Sequence, residues 1–282
     1  ISLAKSFNNN WKNSKTVHPI VAPHETSTVS PKVLKELSSY ALENDLLTHI
    51  HLAQTQKEME YIKSNFKTSP IKHAYNLGIL NEKVIAAHCN VIEDGDLELL
   101  ADSKAFPVFC PTTHGIAGKP MNTNFLSELN VDWGIGTDCS GGNDDYDMLE
   151  EMRTALVLNN SVAKKNFIKP KEVFRKASEE NIKRISGGVF SGKLSKNQKA
   201  DFITVLINTP RMLPLHDVVN NIVMCASSKE INDVYIDGKC VLKNSEFQQI
   251  DEQAVLDDGM NALDKIFLKT GFDKKISEGD FL

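Results

Sequence analysis

Hydrophobic and polar positions along this chain switch between a two-residue and a helical period, and the switches lay out a succession of β/α units. Residues 48–55 (Thr-His-Ile-His-Leu-Ala-Gln-Thr) follow the apolar pair Leu46-Leu47 and precede a polar, helix-favouring run from Gln56 to Lys63. Strand, polar loop, helix is the opening of one such unit. Side chains alternate along a strand, so His49 and His51 share one face and Ile50 takes the other. Upstream, residues 18–22 form a short apolar strand closed by Pro23-His24. Ser30-Pro31 then opens a helix, with Ser as N-cap and Pro at the first helical position. Its apolar positions Val33, Leu34, Leu37, Tyr40 and Ala41 fall on one face.

Downstream, helical segments run to about Gly78. Residues 84–89 are a continuous apolar run, the pattern of a strand covered on both faces. A helix over 96–103, a strand over 106–111 with prolines near its ends and a helix over 124–129 lead into 131–138 (Val-Asp-Trp-Gly-Ile-Gly-Thr-Asp). Two long helices, about 147–165 and 170–185, follow with no strand between them. After Gly192 the pattern turns β-rich over 201–207, 218–225 and 232–242, the last bent at the hairpin turn Asp237-Gly238. An amphipathic helix over about 253–269 ends the pattern. There is no internal repeat and no low-complexity segment. The chain opens Ile1-Ser2-Leu3-Ala4 without an initiator Met or a strand-rich lead-in, and residues 3–11 read like the tail of a helix whose partners are elsewhere.

Composition narrows the setting. The 282 residues suffice for one large α/β domain, or for one with an appendage, and the 41% hydrophobic share is ordinary for a protein with a full-sized core. A net charge of −5 without a long basic block argues against nucleic acid or an anionic membrane as the main partner. No apolar run approaches the roughly 18–20 residues of a membrane span. Cys89, Cys110, Cys139, Cys225 and Cys240 are odd in number and widely spaced, with no CxxC. That disfavours a disulfide framework or a structural zinc site and points to a reducing, cytoplasmic setting.

His24, His51, His88 and Asp138 each close an apparent parallel strand, one per unit. Parallel strands of one barrel bring their C-terminal ends to a common rim, so these residues are expected to converge. An isolated HxH is as readily a pair of hydrogen-bonded core histidines, and a single strand-end histidine often does no more than satisfy a carbonyl. Recurrence in successive units weighs against that. Imidazoles with a carboxylate suit a first-row metal, Zn²⁺ or Fe²⁺ in a hydrolase, which would lower the pKa of a bound water toward ~7. Asp144-Asp145 with Asp147 lacks the later Glu of a calcium loop and reads as a solvated loop. Gly187-Gly188 reads as a helix cap and turn.

His51-Leu52-Ala53-Gln54-Thr55, Ala87-His88-Cys89, Cys110-Pro111-Thr112-Thr113-His114 and residues 136–143 (Gly-Thr-Asp-Cys-Ser-Gly-Gly-Asn) resemble the ordered signatures of the amidohydrolase superfamily. The nearest branch holds triazine hydrolases, guanine deaminase and methylthioadenosine/S-adenosylhomocysteine deaminase. Residues 147–153 resemble that branch's block after the last barrel strand, Ala22-Pro23-His24 its substrate-contacting strand, and Lys199-Ala200-Asp201-Phe202 its return into a β-sandwich.

The resemblance implies an α/β fold: a TIM-like (β/α)8 barrel, here lacking its first strands, over 1–190, a partial β-sandwich over 191–250, and a C-terminal helix over 251–282 packed on one of them. It implies a metal-dependent hydrolase in which metal-held hydroxide attacks a ring carbon of a purine- or triazine-like heterocycle and releases ammonia. His51 and Asp138 would ligate the metal, zinc before iron, and Asp138 would also take a proton from the attacking water. His88 would bind or polarise the group under attack, and His24 would hydrogen-bond the substrate ring. His49 is expected one layer deeper, as a packed neighbour.

Two departures from the family pattern shape the expectation. Gln54 stands where the deaminases carry a Glu that shuttles a proton to the ring nitrogen, and an amide does no acid–base work. Gln54 can still orient a substrate, which suits a chlorohydrolase-like reaction or the expulsion of another amine. The HxH pair of the first barrel strand has no counterpart here, which leaves two ligands where a catalytic zinc takes three or more. Metal is therefore expected to bind weakly or not at all. An unclosed barrel would expose strand edges and favour a homo-oligomer. The reading from another class is a catalytically incomplete homologue without turnover.

Overall fold

The computed structural model describes residues 1–119 and 123–271 of the chain. They form two compact units, one of residues 1–198 with 207–228, the other of residues 199–206 with 229 onward.

The first unit follows the β/α pattern closely. It opens with helix α1 (Ser2–Trp11) and α2 (Pro31–Glu43), the latter capped by Ser30, whose hydroxyl accepts the Val33 N–H. Then come β1 (Thr48–Leu52), α3 (Gln56–Phe66), α4 (Pro70–Asn76), β2 (Val84–His88), α5 (Asp96–Ser103), β3 (Phe106–Phe109), α6 (Pro111–Ile116), α7 (Asn124–Glu128) and β4 (Gly134–Ile135). The four strands form one parallel sheet in chain order. Residues 21–25 run beside β1 through parallel bridges Val21–Thr48 and Glu25–His51, so the strand expected over 18–22 lies slightly later in the chain. Parallel strands in sequential order, each followed by helix, are the arrangement that the wall of a β/α barrel requires. Among the described residues that wall is open.

Register explains the core. Thr48, Ile50 and Leu52 of β1 pair with Val84, Ala86 and His88 of β2. Ile50, Leu52, Val84 and Ala86 are buried in one cluster with Leu34, Ile71 and Leu100 from the covering helices. His49 and His51 point to the opposite face, as the alternation predicts. His49 keeps some solvent exposure there, while its surroundings lower its pKa, burial first and then the neighbouring His51.

Beyond β4 the chain makes α8 (Ser140–Asn143), α9 (Met148–Val162) and α10 (Pro170–Arg175), then a π-helical turn (Lys176–Glu180) running into α11 (Asn181–Ile185). Asp147 is the N-cap of α9, its carboxylate accepting the Leu149 and Glu150 N–H groups. The single long helix expected over 170–185 is thus interrupted by a wider turn. A π turn brings positions five apart toward one side. Here it turns both Lys176 and Asn181 to the base of the sheet: the Lys176 ammonium sits 5.1 Å over the Trp133 ring, and Asn181 bonds the Ile135 backbone.

Residues 218–225, expected as a strand, form helix α12 (Val218–Cys225). A short apolar run rich in Val and Ile does not by itself separate strand from buried helix. Asp217 decides it by capping the Asn220 N–H at 2.8 Å, and buried Asn221 donates to the carbonyls of Met212 and Pro214 at 2.7 and 3.2 Å.

The second unit carries β5 (Phe202–Val205), β6 (Ile231–Ile236), β7 (Lys239–Lys243) and β8 (Glu246–Phe247) as one antiparallel sheet in that order, turned at Asp237-Gly238. Helix α13 (Glu252–Thr270) follows, with no buried residue. No described helix is long and apolar enough to cross a membrane.

Candidate functional site

The C-terminal ends of the parallel strands hold the polar residues anticipated there. His51 leaves β1 half-buried; its Nδ1 lies 2.9 Å from the His24 carbonyl oxygen. A carbonyl only accepts, so Nδ1 carries a proton, which leaves Nε2 as the ring atom able to act as a ligand. The His24 ring, exposed at the rim, meets His51 edge-on at 5.1 Å and hydrogen-bonds Thr28 through Nδ1 at 2.7 Å. His49 keeps farther off, its ring 6.3 Å from that of His51.

His88 reaches this face by an unusual route. Position 88 pairs with Leu52, whose side chain is in the helix-facing core, so alternation alone would bury the imidazole on that side. Its backbone is left-handed, with φ +78, and Cys89 follows at +46. That conformation is rare for side-chain-bearing residues and takes His88 out of the alternation. Its ring stacks on His51 at 5.4 Å. Fully buried at 0% exposure, it shares a 3.1 Å hydrogen bond between its Nδ1 and Nε2 of His114, itself 2% exposed. Burial pushes His88 down to about 4, with Asp138 pulling upward and His51 downward. Burial, reinforced by His88, pushes His114 to about 3. Both rings are neutral at pH 7, so one proton lies between them.

Asp138 completes the group. It too is left-handed, with φ +63, and its Oδ1 accepts the Cys139 N–H at 2.8 Å. Gly142 leaves room for the other oxygen: a Cβ there would lie 3.2 Å from Asp138 Oδ2 and 3.3 Å from Thr113 Oγ1. One ligand atom each from His51, His88 and Asp138 lies within 4.8 Å of the others. A tetrahedral zinc site, with bonds of roughly 2.0–2.1 Å, spaces its ligand atoms by about 3.4 Å. Small side-chain rotations therefore close the set. The buried Nε2 of His88 has no hydrogen-bond partner, as a group facing a ligand position would. The donor set fits a divalent first-row metal.

Gln54 sits half-buried just beyond His51. Its backbone N–H donates to Oε2 of Glu58 at 2.9 Å, and Thr26 Oγ1 donates to Oε1 of the same carboxyl at 2.6 Å. Glu58 is 1% exposed, and burial raises its pKa. A second buried acid, Glu151, accepts the Thr112 N–H at 3.1 Å and the Asn143 side-chain N–H at 2.7 Å. Sequence reasoning assigned no role to Glu58, His114, Asn143 or Glu151. Thr55 and Glu58 do have the spacing of a capping box, which marks that acid locally. For the other three the only signal was membership of a motif.

The chain is similar to several known proteins. A 5-methylthioadenosine/S-adenosylhomocysteine deaminase from Dictyoglomus turgidum is 29% identical over 254 residues, 89% of this chain and 60% of the relative. The structure of an adenosine deaminase from Xanthomonas campestris with bound zinc matches with a TM-score of 0.90 at 25% identity, over 94% of this chain and 61% of that one. A zinc-complexed atrazine chlorohydrolase from Arthrobacter aurescens gives 0.83 at 15% identity, over 92% and 58%, a likeness of fold alone. The chain thus spans about 60% of the length of these relatives. The amidohydrolase family pattern matches residues 3–241. Since that match runs from α1 into β7 and takes in every strand of the parallel sheet, the chain belongs to the amidohydrolase family.

Proposed function

We propose that this chain carries the ion-holding and proton-handling residues of a metal-dependent hydrolase that replaces an exocyclic amine on a purine- or triazine-like ring with oxygen, releasing ammonia. The reading is carried by the convergence of His51, His88 and Asp138, residues of separate β/α units, to within 4.8 Å. His51 Nε2 and an Asp138 oxygen would hold a divalent ion, zinc first and iron second for this donor set. When bound, the ion supplies Lewis acidity, bringing the pKa of a water toward ~7.

The chain's own groups do the rest. Asp138 accepts the proton that the water gives up as its oxygen joins the ring carbon. It returns that proton to the departing amine, so the C–N bond breaks with no net proton gained. His88, neutral and backed by His114, points Nε2 at the same place and polarises the group under attack. His24, held through Nδ1 by Thr28, offers Nε2 to the substrate ring at the rim. Gln54 donates a hydrogen bond to a ring nitrogen and orients it without transferring a proton.

Gln54 also supports a second reading with the same site: a leaving group that departs without ring protonation, a halide or another amine. The relatives' names cover both reactions, deamination of 5-methylthioadenosine or S-adenosylhomocysteine and hydrolysis of atrazine. The test is to supply the protein with Zn²⁺ or Fe²⁺ and measure ammonia from a purine and aminotriazine panel, and halide from chlorotriazines. Ammonia release abolished in His51→Ala and Asp138→Asn is the expected result; halide release alone selects the second reading. Turnover indifferent to Asp138→Asn refutes both. No metal uptake and no turnover identifies a non-catalytic homologue.

A further inference from the structure

Asp138 holds an expensive conformation. A left-handed backbone at a residue with a side chain costs about 1 kcal/mol or more and persists only where its surroundings enforce it. Three bonds surround it. The Thr137 hydroxyl donates to the Asp138 carbonyl at 3.2 Å, and the Cys139 N–H donates to Asp138 Oδ1 at 2.8 Å. On the other side, one proton of the Asn143 side-chain amide goes to the Thr137 carbonyl at 2.8 Å.

The other amide proton of Asn143 goes to Glu151 Oε1, 2.7 Å away. Both residues are buried, Glu151 at 1% exposure. The second oxygen of Glu151 accepts the Thr112 N–H from the first turn of α6, so one carboxylate from α9 ties together the loops that follow β3 and β4. Its hydrogen-bond partners are neutral donors. A carboxylate buried without a cation is costly, and a neutral residue of similar size would pack there more cheaply. What an anion adds is direction. Both its oxygens only accept, so the Asn143 amide must present its N–H groups to Glu151 and to Thr137, and cannot flip.

We infer that Glu151 is a positioning residue for this site: through Asn143 it clamps the Thr137–Asp138 backbone in the left-handed turn that aims the Asp138 carboxylate at His51 and His88. The inference rests on the reading that Asp138 serves the site. It adds a chain of command from α9, outside the ring of candidate ligands, to one of them. Groups that orient metal ligands from behind are worth about 10–100-fold in metal affinity.

The test is a double-mutant cycle on Zn²⁺ affinity, measured by competition with a chromophoric chelator, using Glu151→Gln, Asn143→Ala and both together. Each single variant is expected to lose about 10–100-fold. The double variant should lose no more than the worse single, because Glu151 acts through Asn143. Additive losses, or unchanged affinity in either single variant, overturn the inference, and a fall in thermal stability alone counts against it. If the wild-type protein takes up no Zn²⁺, the metal reading fails by itself. The clamp is then decided by the crystal structure of Asn143→Ala: Asp138 leaving positive φ supports it, and Asp138 staying there overturns it.

Discussion

Replacing His114 with Asn should remove a defined share of this protein's sensitivity to acid. The His88–His114 pair is buried and neutral, with pKa values near 4 and 3 against an ordinary 6.5. A folded-state pKa below the unfolded one means that the unfolded chain binds the proton first. The stability from keeping such a ring neutral is therefore whole above pH 6.5 and is lost as pH falls toward the folded value. Between pH 7 and pH 5 each ring accounts for about 2 kcal/mol, a large part of an ordinary 5–15 kcal/mol stability. Burial raises the pKa values of Glu58, Asp96 and Glu151, which act in the opposite sense because their folded forms bind protons first. Comparison of variants cancels them. Asn at position 114 can donate an amide proton to His88 Nδ1 and does not titrate. Urea unfolding in the presence of a chelator, at pH 7 and pH 5, should show a drop about 2 kcal/mol smaller in His114→Asn than in the wild type. Equal drops in the two proteins would refute the claim that His114 is held neutral by burial.

Metal binding should register as stabilisation: at free Zn²⁺ near 100 times its dissociation constant, unfolding should cost about 2.7 kcal/mol more, and His51→Ala or Asp138→Asn should abolish the gain. His88→Ala should keep it if that ring faces substrate; loss of the gain would make His88 a third ligand. At the base of the sheet, a Cβ on Gly134 would fall 2.0 Å from Asn181 Oδ1 and 2.7 Å from the Phe106 ring. Gly134→Ala should therefore destabilise by about 1–3 kcal/mol of overpacking. A urea midpoint within error of the wild type would show that Asn181 does not need to stand where it does.

Much of the fold was readable from neighbouring residues alone. The alternation in Thr48–Leu52 assigned His49 and His51 to one face and Ile50 to the other, and Ser30-Pro31 marked the start of α2. The apolar run at Val84–His88 announced a strand buried throughout. Where the signal was apolar and short, at Val218–Cys225, local reading chose strand, and a single capping bond from Asp217 made it helix. The site was legible only in part. Strand-end positions of His24, His51, His88 and Asp138 predicted their convergence, but the face on which His88 lies contradicts its place in the alternation, and left-handed backbone at positions 88 and 89 supplies the correction.

The chain by itself determined most of the strands and helices, Val218–Cys225 and the turn at Lys176–Glu180 excepted, together with which faces are apolar and which polar residues end the strands, because these follow from contacts a few residues apart. Tertiary structure alone decided that His88 turns inward, that His114 backs it, that Thr26 joins Glu58, and that Glu151 meets Thr112. The hydrogen bond between His88 and His114 spans 26 residues, and the one between Thr112 and Glu151 spans 39. A buried polar atom must find a partner wherever packing places one, and no local period in the sequence records where that is.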